Sequence, residues 1–331
     1  MKITETIGID VSKATLDVCT HSNQQLAIFD NSPKGFALLL KWGYRSSPHP
    51  RENIFFAFEH TGLYSERLSE YLTKKEVPHA MISGLEIKRS LGIARGKSDS
   101  IDASKIALYA YRLRDEIQPS IAGSKEIKTL KKLLSLRERL VRQRAGYKAS
   151  LRDQRKILAR KDNELLFRIQ EKMIKELSKQ IKEVEKEMGG IIKGDPMLDH
   201  MFVLLKTIKC IGNQAALFFI VYTEGFTKFK NARQFAAYCG VAPFPNRSGT
   251  SLRGMSQVSH LANKKMKSLL DMCAKSSICY NMEIREYYYR RVAQGKNKMS
   301  TVNIIRNKLI SRAFAVINRD TPYVDLWKYA S

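Results

Sequence analysis

Residues 124–188 contain no proline and one glycine, Gly146, and they are rich in Lys, Arg, Glu and Leu. Apolar residues recur along this stretch mostly every three or four positions, which places them on one face of an α-helix. Such a stretch predicts long helices that bury one stripe, as in an antiparallel coiled-coil hairpin. Gly189-Gly190 and Lys193-Gly-Asp-Pro196 should end it. The expected domains are therefore 1–115, 120–190 and 197–331.

The part before the helical stretch has the pattern of an α/β domain. Short apolar strands are expected at 6–11, 15–20, 25–29, 53–59 and 77–82, with helices at 33–42 and 63–72. Three adjacent strands followed by alternating helices and strands suggest a ribonuclease H-like order, in which the first and fourth strands are neighbours. The part after the helical stretch is expected to be mostly α-helical.

The charge of the chain is large and unevenly distributed. Lys and Arg number 58 against 32 Asp and Glu, which gives a net charge of +26. The first 110 residues hold 14 basic and 12 acidic residues, so nearly all of the excess lies beyond them. A surplus of this size argues against an ordinary metabolic enzyme and points to a polyanion partner, because neutralising phosphates releases counterions.

Several sequence features bear on the location of the protein. No run of eighteen apolar residues is present, so no membrane span is expected. The N-terminal segment is too short and too acidic for a signal peptide. The cysteines form no C-x-x-C pair and suit a reducing compartment; they are Cys19, Cys210, Cys239, Cys273 and Cys279. We expect a cytoplasmic, nucleoid-associated protein.

Four acidic residues stand out by their placement. Asp10 ends the first expected strand, Glu59 ends a central strand, and Asp99 and Asp102 lie at the start of a helix. Two acids three positions apart share one helix face, and the helix dipole favours their charge there. Each acid alone is explained equally well as a turn or capping residue. Together they predict a site for Mg²⁺ or Mn²⁺, because converging carboxylates repel unless a cation neutralises them. A metal pair held in this way polarises a phosphodiester.

At these positions the sequence resembles the DEDD transposases of the insertion-sequence-110 family, the recombinases of bridge-RNA-guided insertion sequences. Four segments, in order along nearly the whole chain, carry the resemblance. They are Ile7-Gly-Ile-Asp10-Val-Ser-Lys13, Glu59-His-Thr-Gly-Leu-Tyr64, Lys97-Ser-Asp-Ser-Ile-Asp102-Ala, and Phe235-Ala-Ala-Tyr-Cys-Gly240-Val-Ala-Pro243 followed by Ser248-Gly249.

The resemblance implies an N-terminal RuvC-like domain, a coiled coil and a C-terminal transposase domain. It implies that Asp10, Glu59, Asp99 and Asp102 bind metal and that Ser248 attacks DNA, so that these five residues form the catalytic set. It also implies donor and target DNA as substrates and a structured bridge RNA that pairs with both. The protein would then work as a homo-oligomer, a dimer or tetramer, in which one subunit's serine meets another's carboxylates.

A serine nucleophile suits a recombinase better than a simple nuclease. A hydroxyl needs activation or a polarised phosphate, and a covalent phosphoserine conserves the phosphodiester for rejoining. Ser248 follows Pro243 and Pro245 and precedes Gly249, which predicts an exposed turn. Ser251 is a nearby competitor, but the family pattern places the serine directly before glycine.

Basic residues near this serine are candidate contacts for nucleic acid. They are Arg247, Arg253, Lys264, Lys265, Lys267, Arg290 and Arg291. The segment Tyr287-Tyr-Tyr-Arg290-Arg291 combines aromatic and basic residues in a way that suits stacking on unpaired bases. A solvated basic surface, or a helix with one buried face, explains the same residues. Ile208-Lys-Cys-Ile-Gly212 faintly resembles a helix-hairpin-helix, with Cys210 at the place of the usual glycine.

Three other functions are compatible with parts of the pattern. An actin-like sugar kinase or ATPase also begins with a strand like Gly8-Ile-Asp10-Val, but further glycine-rich phosphate loops are absent from the sequence. A site-specific DNA invertase similar to the pilin-inversion recombinases shares the acids and the serine. A nucleic-acid-binding scaffold with a decayed site is disfavoured, because all four acids and the serine are present.

The charge excess generates a first prediction. If the basic part meets phosphates, the affinity for nucleic acid should fall by roughly 10³–10⁵ between 50 and 200 mM salt, as expected for the neutralisation of six to ten phosphates. Fluorescence anisotropy with a labelled duplex, titrated at several salt concentrations, measures this slope. A binding constant that does not change with salt would contradict the interpretation.

Overall fold

The computed structural model of the chain describes residues 2–90, 99–120, 123–248, 252–259 and 261–325. The chain forms two compact units, Met1–Ala122 and Gly123–Ser331. The first combines a sheet with helices, and the second is mostly helical. An α/β part followed by a helical remainder is confirmed. The finer division into 1–115, 120–190 and 197–331 stays a prediction.

A five-stranded sheet with the order β3-β2-β1-β4-β5 is the centre of the first unit. Its strands are β1 (Glu5–Val11), β2 (Thr15–Thr20), β3 (Leu26–Asp30), β4 (Ile54–Glu59) and β5 (His79–Ile82). The first three strands are antiparallel, whereas β4 is parallel to β1 and β5 is parallel to β4. The expected adjacency of the first and fourth strands is confirmed; the RuvC-like nature of the domain stays a prediction.

Helices cover both faces of this sheet. They are α1 (Pro33–Ser46), α2 (Leu63–Lys74), α3 (Gly84–Ser90) and α4 (Asp99–Arg112). Successive residues of a strand point to opposite faces. Ile7 and Ile9 of β1 accordingly share a core with Phe36 of α1 and Leu68 of α2. The opposite face of the sheet is covered by α4.

Helix α4 lies directly on β1 because Gly8 has no side chain. A Cβ added at Gly8 would lie 2.2 Å from the carbonyl oxygen of Ala103 and 2.3 Å from the backbone nitrogen of Ala107. Ala103 and Ala107 are themselves small and fully buried. The hydroxyl of Thr6 donates a hydrogen bond of 2.8 Å to the Ala107 carbonyl. The N-terminal turn of α4 is thereby held over the end of β1.

The second unit begins with an antiparallel pair of long helices, α5 (Lys125–Ile157) and α6 (Glu164–Gly194). Three pairs of side chains across the two helices run in opposite directions along them: Arg137 with Glu185, Arg144 with Ser178, and Gln154 with Gln170. The expected helical hairpin is therefore observed; a coiled-coil supercoil stays a prediction.

The expected end of the helical stretch is wrong at Gly189-Gly190 and confirmed at Lys193-Gly-Asp-Pro196. Helix α6 continues through both glycines to Gly194 and ends before Pro196. A glycine inside a helix costs about 1 kcal/mol relative to alanine. Met188 and Ile192, on either side of the pair, are buried in the core, and this packing offsets the cost.

Six further α-helices are found in the part of the second unit that the structure describes. They are α7 (Pro196–Lys206), α8 (Asn213–Tyr222), α9 (Ala232–Tyr238), α10 (Lys264–Tyr280), α11 (Met282–Ala293) and α12 (Lys298–Arg319). The last four each begin at an asparagine whose side chain accepts backbone N–H bonds of the first turn. Nearly every residue of α8 is buried, and it packs in one core with residues of the helical hairpin.

A two-stranded ribbon, β6 (Pro243–Ser248) and β7 (Leu252–Val258), stands where the sequence suggested an exposed turn. Both strands of a two-stranded ribbon are edges, so a proline without an N–H is tolerated there. The register shifts between Phe244 and Asn246, which places Pro245 at the irregularity. Ser248 is the last residue of β6 and pairs with Leu252.

The close approach of α4 to β1 generates a prediction. Gly8→Ala should lower the free energy of unfolding by about 1–3 kcal/mol, because the added methyl group meets backbone atoms that do not move freely. Urea unfolding of the full chain, followed by Trp42 fluorescence in a Trp327→Phe background, reports on the first unit. Gly146→Ala, where an added Cβ has no neighbour within 4 Å, should leave this transition unchanged. A urea midpoint of Gly8→Ala equal to that of the wild type would contradict the prediction.

Candidate active site

The register of the sheet brings the first two acidic residues together. Gly8 of β1 pairs with Ala57 of β4. Asp10 and Glu59 each follow their paired residue by two positions, so both side chains lie on the face that α4 covers. Since β1 and β4 are parallel neighbours, these two acids end adjacent strands at the same edge of the sheet.

Asp99 and Asp102 reach the same region from α4. Both lie in the first turn of that helix, immediately before Ala103, which packs on Gly8. The positive end of the helix dipole stabilises negative charge in the first turn. The structure therefore gathers at the end of β1 all four acids that the sequence analysis selected.

The pKa of Asp10 responds to the acidic groups around it. Burial and the negative charge of four neighbouring carboxylates raise the pKa of Asp10 from 3.8 to about 6. Those carboxylates, in decreasing order of effect, are Asp99, Asp102, Asp17 and Glu59. Burial and these negative charges therefore make ionisation of Asp10 less favourable than for an ordinary aspartate, and a nearby positive charge would offset this effect.

Asp17 is a fifth carboxylate that the sequence analysis missed. It lies on β2 directly opposite Asp10 in the antiparallel pair, so the two side chains share one face of the sheet. Burial raises the pKa of Asp17, and the charge of Asp99 raises it further. The sequence did offer a signal for the shared face: β1 and β2 are joined by a short turn, and side chains alternate between the two faces along each strand. It offered none for the register that pairs Asp17 with Asp10.

Carboxylate oxygens are hard donors that suit Mg²⁺ or Mn²⁺. A divalent cation bound among them would neutralise their mutual repulsion. The donor chemistry thus fits the expected metal. Within the described ranges, no three His, Cys, Asp or Glu side chains converge on one point as ligands. Asp102 instead pairs with Lys105 at 2.8 Å, and the Glu59 carboxylate packs against Gly84. A metal bound by these carboxylates would replace the Lys105 ammonium as the positive charge beside Asp102.

The candidate nucleophile belongs to the second unit. The backbone of Ser248 ends β6, while its side chain and those of Arg247 and Arg253 lie outside the described part of the chain. Gly249 and the competitor Ser251 also lie outside the described residues. The backbone of the serine therefore lies at the end of a ribbon strand.

The other candidate nucleic-acid residues lie on two helices. Lys264, Lys265 and Lys267 occupy the first turn of α10, which contains no acidic residue. The positive helix dipole adds to their charge and makes this end attractive to anions. Lys265 also forms an ion pair with Glu138 of α5. The described structure thus combines three lysines with the positive end of α10.

Arg290 and Arg291 lie in the last turn of α11. The Arg290 guanidinium lies 5.9 Å from the ring centroid of Tyr287, and Tyr289 is 61% exposed. Of the tyrosines in this segment, Tyr289 offers the most accessible ring for base stacking.

One position of the segment that faintly resembles a helix-hairpin-helix has a glycine-like backbone; the motif itself stays a prediction. Cys210 adopts a φ of 72°, in the left-handed region that favours glycine. It lies between α7 and α8, and Gly212 precedes the first residue of α8. Cysteine thus occupies a glycine-like conformation at the position where the sequence departs from the pattern.

No helix among the described residues is long and apolar enough to cross a membrane. The five cysteines are free thiols.

Comparison with known proteins adds independent findings. A transposase model of the DEDD type named after IS110 matches residues 7–157, and a model of the transposase IS116/IS110/IS902 family matches residues 203–289. The chain is similar to the pilin gene-inverting proteins of Moraxella lacunata and Moraxella bovis, with 28% identity over 326 residues, which are 96% of this chain and 97% of each relative. It is also 25% identical over 140 residues to an uncharacterised 43.6 kDa protein of insertion element IS110 of Streptomyces coelicolor, covering 42% of this chain and 33% of that protein.

The carboxylate cluster generates a prediction for metal-free protein. The raised pKa means that folding takes up a proton between about pH 4 and pH 6, so Asp10 stabilises the fold below this window and the stabilisation is lost as pH rises through it. Asp10→Asn should flatten this pH dependence. At pH 7 it should raise the free energy of unfolding by an amount on the order of 1 kcal/mol, since partial exposure weakens the repulsion.

Urea unfolding in a chelating buffer at several pH values tests this prediction. Asp30→Asn changes an exposed acid at the end of β3; it is the matched control and should change the stability little. Added Mg²⁺ should stabilise the wild type more than Asp10→Asn. Destabilisation of the chelated protein by Asp10→Asn would show that the cluster does not repel.

Proposed function

Because the chain belongs to the insertion-sequence-110 family of transposases, whose two models together match more than half of it, we propose that it cuts and rejoins DNA with a carboxylate-bound metal and a serine nucleophile. In this proposal the metal ligands are Asp10, Glu59, Asp99 and Asp102, and Ser248 is the nucleophile. The observation that carries the proposal is the proximity of these acids to Asp10, whose pKa burial and their negative charges raise to about 6.

The acidic cluster and the serine would divide the chemistry between them. Mg²⁺ or Mn²⁺ supplies Lewis acidity that polarises the scissile phosphate. Ser248 forms the new bond to phosphorus, the bond from phosphorus to one nucleotide oxygen breaks, and that oxygen takes up a proton as the serine loses its own. The phosphoserine link keeps one phosphodiester in place of another, so a second nucleotide hydroxyl reverses the step and joins the strands without a nucleotide cofactor.

The distribution of charge supports the assignment of roles to the two units. The acids lie in a nearly neutral unit, whereas the basic excess lies in the unit that carries Ser248. We propose that the first turn of α10 and the end of α11 contact DNA phosphates, with Tyr289 available to stack on an unpaired base. A structured guide RNA that pairs with donor and target DNA is part of the proposal and would use the same basic surface.

Serine and carboxylates belong to separate compact units. A working site must therefore be assembled from both units, either of one subunit or of two. We propose the second arrangement, in a dimer or tetramer, because it allows cleavage only when the subunits have assembled on their substrate.

A site-specific DNA invertase is the second candidate function. It is favoured by one observation: the pilin gene-inverting proteins match along nearly the whole chain, whereas the insertion-element protein matches 42% of it. Inversion and transposition use the same chemistry and differ in the DNA sites that are joined. The DNA flanking the gene distinguishes them, since element ends beside a noncoding RNA indicate transposition and inverted sites around a pilin gene indicate inversion.

The proposed chemistry predicts a covalent intermediate. Wild-type protein incubated with labelled DNA from its own locus and Mg²⁺ should form an adduct that survives denaturing electrophoresis and maps to Ser248 by mass spectrometry. Ser248→Ala removes only the hydroxyl and should abolish the adduct, strand cleavage and joining. DNA binding should persist, because the basic residues remain.

Two controls separate the serine from its surroundings. Asp102→Asn should also abolish the adduct while leaving DNA binding intact, whereas Ser251→Ala should react normally. Cleavage by Ser248→Ala at the wild-type rate would mean that water attacks the phosphate. An adduct on Ser251 would identify a different nucleophile.

A further inference from the structure

A cavity of about 410 Å³ lies along one face of α12, entirely within the second unit. Its wall on α12 is formed by residues spaced as one helical face: Asn303, Ile304, Asn307, Lys308, Ser311 and Arg312. The opposite wall is formed by Val241 and Pro243, which lead into β6. Asn303 donates a hydrogen bond of 2.8 Å to the Val241 carbonyl and so joins the two walls.

Two basic residues line this cavity, and of these only Arg312 forms an ion pair with a described carboxylate. Arg312 is fixed by its Nη2, which donates to both carboxylate oxygens of Glu283 at 2.6 and 2.7 Å. Lys308 has no ion pair among the described carboxylates, and its ammonium lies 3.8 Å from the ring centroid of Tyr287. The charges that act on Lys308 are one carboxylate, Glu283, and two guanidinium groups, Arg312 and Arg290.

The surroundings of Lys308 disfavour its positive charge unless an anion binds beside it. Burial lowers the pKa of Lys308, and the repulsion from Arg312 and Arg290 lowers it further, against the opposing effect of Glu283. A phosphate placed on Lys308 would remove the repulsion and retain the contact with Tyr287. The ammonium of Lys308, which lies at the cavity over the Tyr287 ring and is subject to the charges of two guanidinium groups, is thus suited to one phosphate.

The remainder of the cavity is suited to a base rather than to more charge. Val241, Pro243 and Ile304 give it apolar surface, and Asn307 and Ser311 add groups that donate and accept hydrogen bonds. A volume of about 410 Å³ lies in the range of pockets for small organic ligands. One unstacked nucleotide combines the three features that the cavity matches: an anionic phosphate, an apolar ring face and a polar ring edge.

We propose that this cavity, which we call the α12 pocket, holds one unpaired nucleotide of the DNA strand that is cut at Ser248. Pro243 lines the pocket and begins the strand that ends at Ser248. Five residues of extended strand span about 17 Å, a distance that a few nucleotides cover. The proposal rests on the proposed function, because it takes the strand at Ser248 to be DNA.

A titration without chemistry tests the pocket. Full-length protein in EDTA binds fluorescein-labelled dT12, measured by anisotropy at a fixed salt concentration. Lys308→Gln should weaken binding about tenfold, as expected for the loss of one charged hydrogen bond, and Lys308→Arg should retain most of the affinity. Lys228→Gln, which removes an exposed lysine paired with Glu224, is the matched control and should weaken binding less than about twofold.

A second pair of variants tests the base site without changing charge. Ser311→Leu fills the pocket, whereas Asn318→Leu places the same side chain on an exposed position of α12 outside it. Ser311→Leu should weaken dT12 binding about fivefold and should not affect an abasic 12-mer; Asn318→Leu should affect neither. Circular dichroism spectra that match the wild type show that the variants are folded.

Three results would overturn the proposal. The first is an equal loss of dT12 affinity for Lys308→Gln and Lys228→Gln. The second is an equal loss for Ser311→Leu and Asn318→Leu. The third, from the same titrations repeated with an RNA 12-mer, is a loss of affinity for RNA but not for dT12. The outcome is separable from that of the proposed function. A wild-type protein that forms no Ser248 adduct would refute the serine chemistry, whereas an adduct with unchanged dT12 titrations would refute only the pocket.

Discussion

The contact of α4 with β1 at Gly8 is the constraint on which the candidate active site depends. Any side chain at this position would meet the backbone of Ala103 and Ala107, so the helix lies on the strand only because three small residues coincide. The consequence is chemical, because Asp10 lies two residues beyond Gly8 and Asp102 directly precedes Ala103. A helix displaced by the thickness of one methyl group would carry its acids away from the end of β1.

Much of the first unit follows from local patterns. The bounds of β2 were predicted as observed, and those of β1 and β4 to within a residue, because apolar runs between turn residues are strong local signals. The adjacency of Asp10 and Glu59 followed from the order of the strands. Asp17 was missed because its role depends on the antiparallel register, in which it pairs with Asp10, and a sequence pattern of isolated acids does not display register.

The second unit shows where local patterns fail. Gly189-Gly190 is a strong helix-stop signal, yet burial of Met188 and Ile192 carries α6 through it. Pro243 and Pro245 indicate a turn, yet they lie in a two-stranded ribbon whose edges tolerate missing N–H groups. The α12 pocket was not predicted at all, since its walls are about sixty residues apart in sequence. Lys308 alone resembles any lysine on a helix, and only the packing of Tyr287 and Arg312 around it distinguishes it.

Each unit concentrates one sign of charge at a place where it repels itself. In the first unit five carboxylates act on one another around Asp10; in the second, Lys308 is surrounded by two guanidinium groups and one carboxylate. Folding alone does not favour such clusters. In the proposed function a divalent cation would neutralise the first, and in the proposed α12 pocket a phosphodiester would neutralise the second. In the proposed reaction both are present together, because the metal polarises the phosphate that the serine attacks, while the phosphate of a neighbouring nucleotide lies on Lys308. In this proposal, relief of charge repulsion in the free protein thus contributes to the binding of metal in the first unit and of DNA in the second.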